Sequence, residues 1–303
     1  MTTAPRVSVI VPAYLSQSTV GGCLQRLREQ TWRDFEVAVV DSSPSPETAD
    51  LIAGGFPEVI LERSSARLLP HAARNRGVAI TGGELLVFTD PDIYAAPDWL
   101  ERLVAAHDAG AELVVGALLC HGSRWLDLGV HLTKFAKWLP GGDPGPSDTA
   151  PTAGLLCPRR LYDELGGFAG ELILGDADFA WRATRAGHGV WFEPRAVAEH
   201  HHRHSVVSFL AERFHRGVLF GELRLDWLGG GPGVRLRYLA ASVLPVRMAR
   251  ILALTAGHAS RGGQLPAFLA TLPVVVAGHS ASLAGECVAY TRRRGTVASG
   301  GGP

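Results

Sequence analysis

The chain has 303 residues, 47% of them hydrophobic and 19% charged, with 29 Lys+Arg set against 29 Asp+Glu. That length holds one large α/β domain, or one domain with an appendage, and leaves ample material for a buried core. The balanced charge excludes nucleic acid as the main partner, because phosphate backbones select basic faces.

Four cysteines, Cys23, Cys120, Cys157 and Cys287, show no C-x-x-C spacing. They read as buried thiols of a reducing compartment, not as a disulfide framework or a zinc knuckle. The opening "MTTAPRVSVIVPAY" lacks an h-region and a cleavage site, so it reads as a first strand. The catalytic part is therefore expected to face the cytoplasm.

From 7 to 119 short apolar runs alternate with amphipathic segments. "VSVIVPAY" (7–14), "FEVAVVDSS" (35–43), "EVILERS" (58–64), "ELLVFTD" (84–90) and "ELVVGALL" (112–119) have the Val, Ile, Leu and Phe content of doubly buried strands. Between them, "TVGGCLQRLREQT" and "APDWLERLVAAHDAG" read as helices, the second with Pro97 near its start and Gly110 near its end. Such alternation predicts right-handed crossovers and a mostly parallel sheet flanked by helices, Rossmann-like in character. Ligands of these sheets gather beyond the carboxyl ends of the strands. Asp41 in "VVDSS" and Asp90 and Asp92 in "FTDPDIY" stand at two such ends and should face one crevice.

The stretch "LPGGDPGPSDTAP" (139–151) cannot continue a helix or a central strand, and fits either a mobile loop near the crevice or a linker. A helix opens at "GDADFAWRATRAG", the strand "GVWFEPRAVAEH" follows, and an amphipathic helix runs from Ser205 to about Trp227. Composition shifts after "WLGGGPG", which divides a catalytic domain at 1–228 from a hydrophobic helical appendage at 229–303. Within the appendage, 264–285 carries no formal charge over 22 residues, long enough to span a bilayer, yet Pro266, Pro273 and Glu286 weaken that reading. With Arg247, Arg250 and "RRR" (292–294), a membrane-apposed helical hairpin is favoured over a soluble appendage or a dimer contact.

On an extended segment Asp90 and Asp92 point to one side and could share an ion, which makes a hard divalent cation such as Mg²⁺ or Mn²⁺ a natural occupant. A D-x-D alone equally describes a solvated turn. The surrounding blocks decide more. "VSVIVPAY", "QTWRDFEVAVVDSS" and "HAARNRGVAITGGELLVFTDPD…APDWLERL" together resemble a family 2 inverting glycosyltransferase of the GT-A fold, over about residues 6–225.

This resemblance implies a nucleotide-sugar donor contacted by Asp41 at the base and by Asp90 at the ribose. The diphosphate-bound metal falls to Asp92, with Asp90 in support. Pro12 and Tyr14 of the first block, and Arg74 and Asn75 of "ARNRG", are placed near the nucleotide. "GGFAGELILGDADFAWRATRAG" resembles the acceptor-side segment of the family, making Asp176 the general base, supported by Asp178 and Arg182. One carboxylate suffices for an inverting transfer, which forms no covalent intermediate. In "EHHHRHS", His200 falls where some relatives place a metal-binding histidine; His202 is second choice, and the other histidines are expected to decorate a turn. "ERFHRG" (212–217) offers Arg213, His215 and Arg216 for phosphate, though a solvated basic face is the plainer reading.

Three departures from the family pattern stand out: Leu15 where asparagine commonly follows V-P-x-Y, His71 near a usual glycine, and Gly175 in place of an acid before the base. The Q-x-x-R-W signature of processive synthases is missing, so single-sugar addition is expected, to a lipid-linked or cell-envelope glycan or a hydrophobic small molecule. A nucleotidyltransferase would want a lysine-rich N-terminal phosphate loop, which is absent. A catalytically inactive scaffold at the membrane is the remaining alternative, and a homo-oligomer is compatible with the appendage.

Overall fold

The computed structural model describes residues 4–202 and 204–292. Its strands are β1 Val7–Ala13, β2 Phe35–Asp41, β3 Ile60–Arg63, β4 Leu85–Phe88, β5 Ile93–Ala95, β6 Leu113–Cys120, β7 Gly145–Ser147, β8 Leu155–Pro158 and β9 Val190–His200. The helices are α1 Val20–Arg28, α2 Glu47–Gly55, α3 Pro70–Ala79, α4 Trp99–Asp108, α5 Trp125–Phe135, α6 Arg159–Glu164, α7 Gly175–Arg185, α8 Val206–Leu228, α9 Pro232–Val243, α10 Pro245–Arg261, α11 Leu265–Ala270 and α12 Leu272–Thr291.

All strands join one sheet in the order β3-β2-β1-β4-β8-β6-β9-β5, with β7 on β9. β3, β2, β1 and β4 are mutually parallel, as are β6 and β9. β8 runs antiparallel to both β4 and β6, so the sheet is mixed. Every residue of β1 and β4 is buried, as strands covered on both faces require. Alternation along β1 splits the core: Val9 and Val11 pack on one side with α1 and α4, while Ile10 packs on the other with Phe88 and Phe179. Helix α1 buries Val20, Cys23, Leu24 and Leu27, the single stripe that its sequence spacing predicts.

The segment 139–151 is neither a free loop nor a plain linker. Its Gly145–Ser147 pairs with the start of β9 at the sheet edge, and Asp148 accepts from Lys137. Proline is tolerated there because an edge strand needs hydrogen bonds on one side only.

The C-terminal helices pack onto the sheet domain. α12 lies against α8, α5 and α9. It crosses α8 closely, since a Cβ on Gly217 would come 2.1 Å from the Ser282 carbonyl oxygen, and one on Gly285 would come 2.1 Å from that of Phe214. Only glycine lets the two backbones approach this far. The uncharged stretch at 264–285 is not one helix, for it breaks between α11 and α12, where Pro273 occupies the first turn. By length and composition α12 could cross a bilayer, and α9 and α10 meet at a bend of 65°. Yet α12 buries Glu286, which pairs with Arg224 and Arg247. Leu236, Val243, Leu244, Val246 and Leu254 of the α9–α10 region are exposed. Of "RRR", Arg293 and Arg294 lie outside the described residues.

Candidate active site

The carboxyl ends of β1, β2 and β4 open on a crevice of about 410 Å³ lined by Pro12, Tyr14, Ser42, Asp90, Asp92, Lys134 and His200, among others. Asp41 closes β2 and is fully buried. Its Oδ1 accepts from the backbone N–H of Ser43 at 3.0 Å and from the Ser43 hydroxyl at 2.5 Å. The Ser43 Oγ in turn accepts from the Leu15 N–H at 2.8 Å, tying the β1 and β2 loops together. Asp41 Oδ2 is sealed from solvent with no hydrogen-bond partner, and Arg63 lies 3.8 Å away. The Asp41 carboxylate is thus enclosed by its own loop and does not itself line the crevice, which the neighbouring Ser42 does. Arg67 stacks on the exposed Tyr14 ring at 4.4 Å from its centroid.

Asp90 and Asp92 follow β4, and the β5–β9 pairing brings them to His200. Ile93 sits opposite His200 in register, and the Asp92 carbonyl accepts from the His201 N–H at 2.8 Å. Asp90 bonds to the Arg74 guanidinium, whose side chain is almost fully buried. His200 is 8% exposed and its Nδ1 is buried without a partner. Burial and the neighbouring Lys134 charge hold this histidine well below the usual range, so it stays neutral. Two carboxylates and a neutral imidazole line one crevice, and these are ligand types that Mg²⁺ or Mn²⁺ accepts.

A second cavity of about 260 Å³ shares Asp90, Lys134 and His200 with the first and adds His71, Arg74, Asp176, Arg213 and Arg216. Asp176 stands in the first turn of α7, and its Oδ1 accepts from the Ala177 N–H at 2.9 Å. Its own backbone N–H donates to His71 Nε2 at 3.3 Å. His71 is 2% exposed, and burial together with the Arg74 charge pushes it down to about 2. The His71 ring occupies the space that a side chain at 175 would need: a Cβ there would lie 2.8 Å from His71 Cγ and Cδ2. Two departures from the family pattern are thus one packing arrangement, a bulky ring at 71 against no side chain at 175.

Three sequence expectations are corrected here. Asn75 does not line either cavity. Its Nδ2 donates to the Phe168 carbonyl at 2.8 Å, while its Oδ1 accepts from the Tyr162 hydroxyl at 2.5 Å and the Phe168 N–H at 3.2 Å. It clamps the segment before α7. The other "EHHHRHS" histidines are more than turn decoration: His201 packs on the His121 ring at 5.0 Å between centroids and His204 lies 3.4 Å from Glu212, while His202 is 4% exposed and stacked on His200 at 4.2 Å. The arginines of "ERFHRG" are not a solvated face either, since Arg213 and Arg216 line the Asp176 cavity; Phe214 and His215 are the exposed residues of the stretch.

Asp178 accepts from Arg182 Nε at 2.8 Å, and Arg182 holds the Leu165 and Gly167 carbonyls. This pair fixes the loop that leads into α7 and does not line the cavities.

Behind His200 sits a cluster that local spacing gave no hint of, Cys120, His131 and His202, with ligand atoms within 4.8 Å of one another. His131 Nε2 reaches the Leu118 carbonyl at 3.1 Å and so carries the proton; its Nδ1 then accepts from His202 Nε2 at 3.1 Å. Burial pushes His131 down to about 4, which keeps the pair neutral. Lys134 was also missed. It lines both cavities and pairs with Glu212 at 3.0 Å. Its only sequence signal is a lysine in a helical stretch, 125–135.

Residues 8–156 match the family model described as glycosyl transferase family 2. This is a family 2 glycosyltransferase domain. AglE, a glycosyltransferase of Haloferax volcanii, is 28% identical over 208 residues, covering 65% of this chain and 67% of that one. The pre-mycofactocin glycosyltransferase of Mycobacterium tuberculosis is 26% identical over 273 residues, 82% of this chain, which spans only 57% of that relative. Among solved structures, a mannosyltransferase from Pyrobaculum calidifontis in complex with GDP-Man and Mn²⁺ superposes with a TM-score of 0.58 at 21% identity, covering 90% of this chain and 87% of the other. GalNAc-T7 with UDP, GalNAc and Mn²⁺ gives 0.54 at 17% identity, over 67% of this chain and 45% of that one. The family 2 domain therefore has the GT-A fold that its strand order describes.

Proposed function

We propose that the protein transfers a single sugar from a nucleotide-sugar donor to an acceptor hydroxyl, with inversion and with a divalent cation. The acceptor is read as a lipid-linked or cell-envelope glycan, or a hydrophobic small molecule, met at the cytoplasmic face of a membrane. One observation carries the reading: Asp90 and His200 line both the crevice below Tyr14 and the cavity that holds Asp176. Donor and acceptor sides thus meet at one point. The printed contents of the solved neighbours, GDP-Man or UDP with Mn²⁺, support the donor class and the metal.

Asp41 is read at the base end of the donor, as the family resemblance implies, and Pro12 and Tyr14 wall the nucleotide. Asp92 and His200 hold the metal, while Asp90, tied to Arg74, faces the ribose and supports that site. A cation bound there offsets the charge developing on the departing diphosphate. Asp176 accepts the proton of the acceptor hydroxyl as that oxygen attacks the anomeric carbon from the opposite side. His71 fixes the backbone of Asp176, and neutral His71 adds no charge to compete for the proton.

The test is Asp176→Asn. Transfer should fall roughly 10²–10⁴-fold, the range for a positioned base, while nucleotide binding by calorimetry with Mn²⁺ is unchanged. Transfer at the wild-type rate would sink the assignment.

A further inference from the structure

Arg213 and Arg216 stand one turn apart on α8 and border two cavities at once: the one with Asp176, and another of about 280 Å³ between α8, α10 and α12. Arg213 Nε is sealed from solvent with no partner, and its one hydrogen bond, to Ser282 Oγ, is 3.5 Å long. Among the described residues, neither arginine forms an ion pair. Of the acids nearby, Glu286 pairs with Arg224 and Arg247 and Glu212 with Lys134 and His204, while Asp176 lines the same cavity without an ion pair to either arginine. His279 in the same cavity also has a sealed, partnerless Nε2. Two adjacent cations, one of them with a sealed donor, repel each other and lose hydration, so an anion entering the cavity would stabilise them. Arginine forks suit phosphate oxygens in particular.

The pair lies toward the acceptor side, in the cavity of Asp176, which Asp90 and His200 also line. Neither arginine lines the crevice of Tyr14 and Asp92. The 280 Å³ cavity starts at Leu174, two residues from Asp176, and runs into the C-terminal helices, where Phe220, Ile251 and Leu283 add apolar walls. We infer that Arg213 and Arg216 bind a phosphate or diphosphate group of the acceptor, so that the acceptor is a phosphate-linked glycan on an apolar stem whose free hydroxyl meets Asp176. This rests on the reading of Asp176 as the acceptor-side base.

The experiment is calorimetry on the full chain with Mn²⁺, UDP and GDP at saturation, and geranyl diphosphate as probe. The probe should bind in the presence of both nucleotides, and at least tenfold more weakly to Arg213→Met and to Arg216→Met, with nucleotide affinity within twofold of wild type. Arg213→Met should keep or raise the melting temperature, because it removes an unpaired charge. Displacement of the probe by the nucleotides, or an equal loss of nucleotide affinity in the variants, would assign the arginines to the donor diphosphate and overturn the inference. So would a lowered melting temperature with unchanged probe binding, or no binding to wild type. Asp176→Asn should still bind the probe, so failure of the base assignment and failure of the phosphate site are separate results.

Discussion

Placing a methyl group at Gly175 tests the packing that sets the general base. In Gly175→Ala the new Cβ would sit 2.8 Å from two His71 ring atoms and 3.1 Å from the Ala169 carbonyl oxygen. Carbon atoms in contact settle at about 3.5–4.0 Å, so roughly 0.7 Å must open. The ring has little room to yield: it is 2% exposed, bonded to the Asp176 N–H, and packed on Phe168 at 4.9 Å between centroids. Overpacking of this kind costs about 1–3 kcal/mol, against a gain of at most about 1 kcal/mol for replacing glycine in a helix. The clash wins, and a net loss of about 1–2 kcal/mol is expected in urea unfolding followed by circular dichroism. In a His71→Ala background the ring is gone and only the 3.1 Å approach to the Ala169 carbonyl remains, so Gly175→Ala should cost little or nothing. The coupling between the two sites is then at least about 1 kcal/mol, well above the roughly 0.3–0.5 kcal/mol scatter of independent sites. An equal cost of Gly175→Ala in both backgrounds would refute the reasoning.

Asn75→Ala strands the Phe168 backbone groups and the Tyr162 hydroxyl, so about 2–4 kcal/mol of stability is lost while nucleotide affinity in the folded fraction holds; the reverse pattern would return Asn75 to the donor site. Leu15 is a non-glycine residue at φ 52°, exposed in the loop after β1. Leu15→Asn should add about 0.5–1 kcal/mol, read as a higher thermal midpoint, because asparagine tolerates the left-handed region; a lower midpoint contradicts this. The pH dependence follows from His71 and His131, held at about 2 and about 4 in the folded chain, below the ordinary 6.5. The unfolded chain binds the extra protons, so stability present above pH 6.5 is lost as pH falls, by about 1.4 kcal/mol per unit for each neutral histidine. Denaturant midpoints flat from pH 7 to 5 would show that these histidines are not buried neutral.

The sequence by itself determined the strand cores and the strand ends. Continuous apolar runs can only be buried between helices, and parallel crossovers collect the carboxyl ends on one side, so Asp90 and Asp92 share a crevice with the loop that follows Asp41. The helix opening at Gly175 and the strand ending at His200 were equally local, set by periodicity and by a charged or glycine boundary. Tertiary structure alone decided the partners. His71 and Asp176 are 105 positions apart, and nothing in either neighbourhood shows that one ring fills the space left by Gly175. Asn75 sits in a block that the family resemblance assigns to the nucleotide, yet its amide turns to the Phe168 backbone. The arginines of "ERFHRG" look like an ordinary solvated face until α12 folds over α8 and, among the described residues, leaves them with no ion pair. Periodicity reports which face of an element is buried; which side chain waits there, and whether its charge finds a partner, is fixed only when distant elements pack.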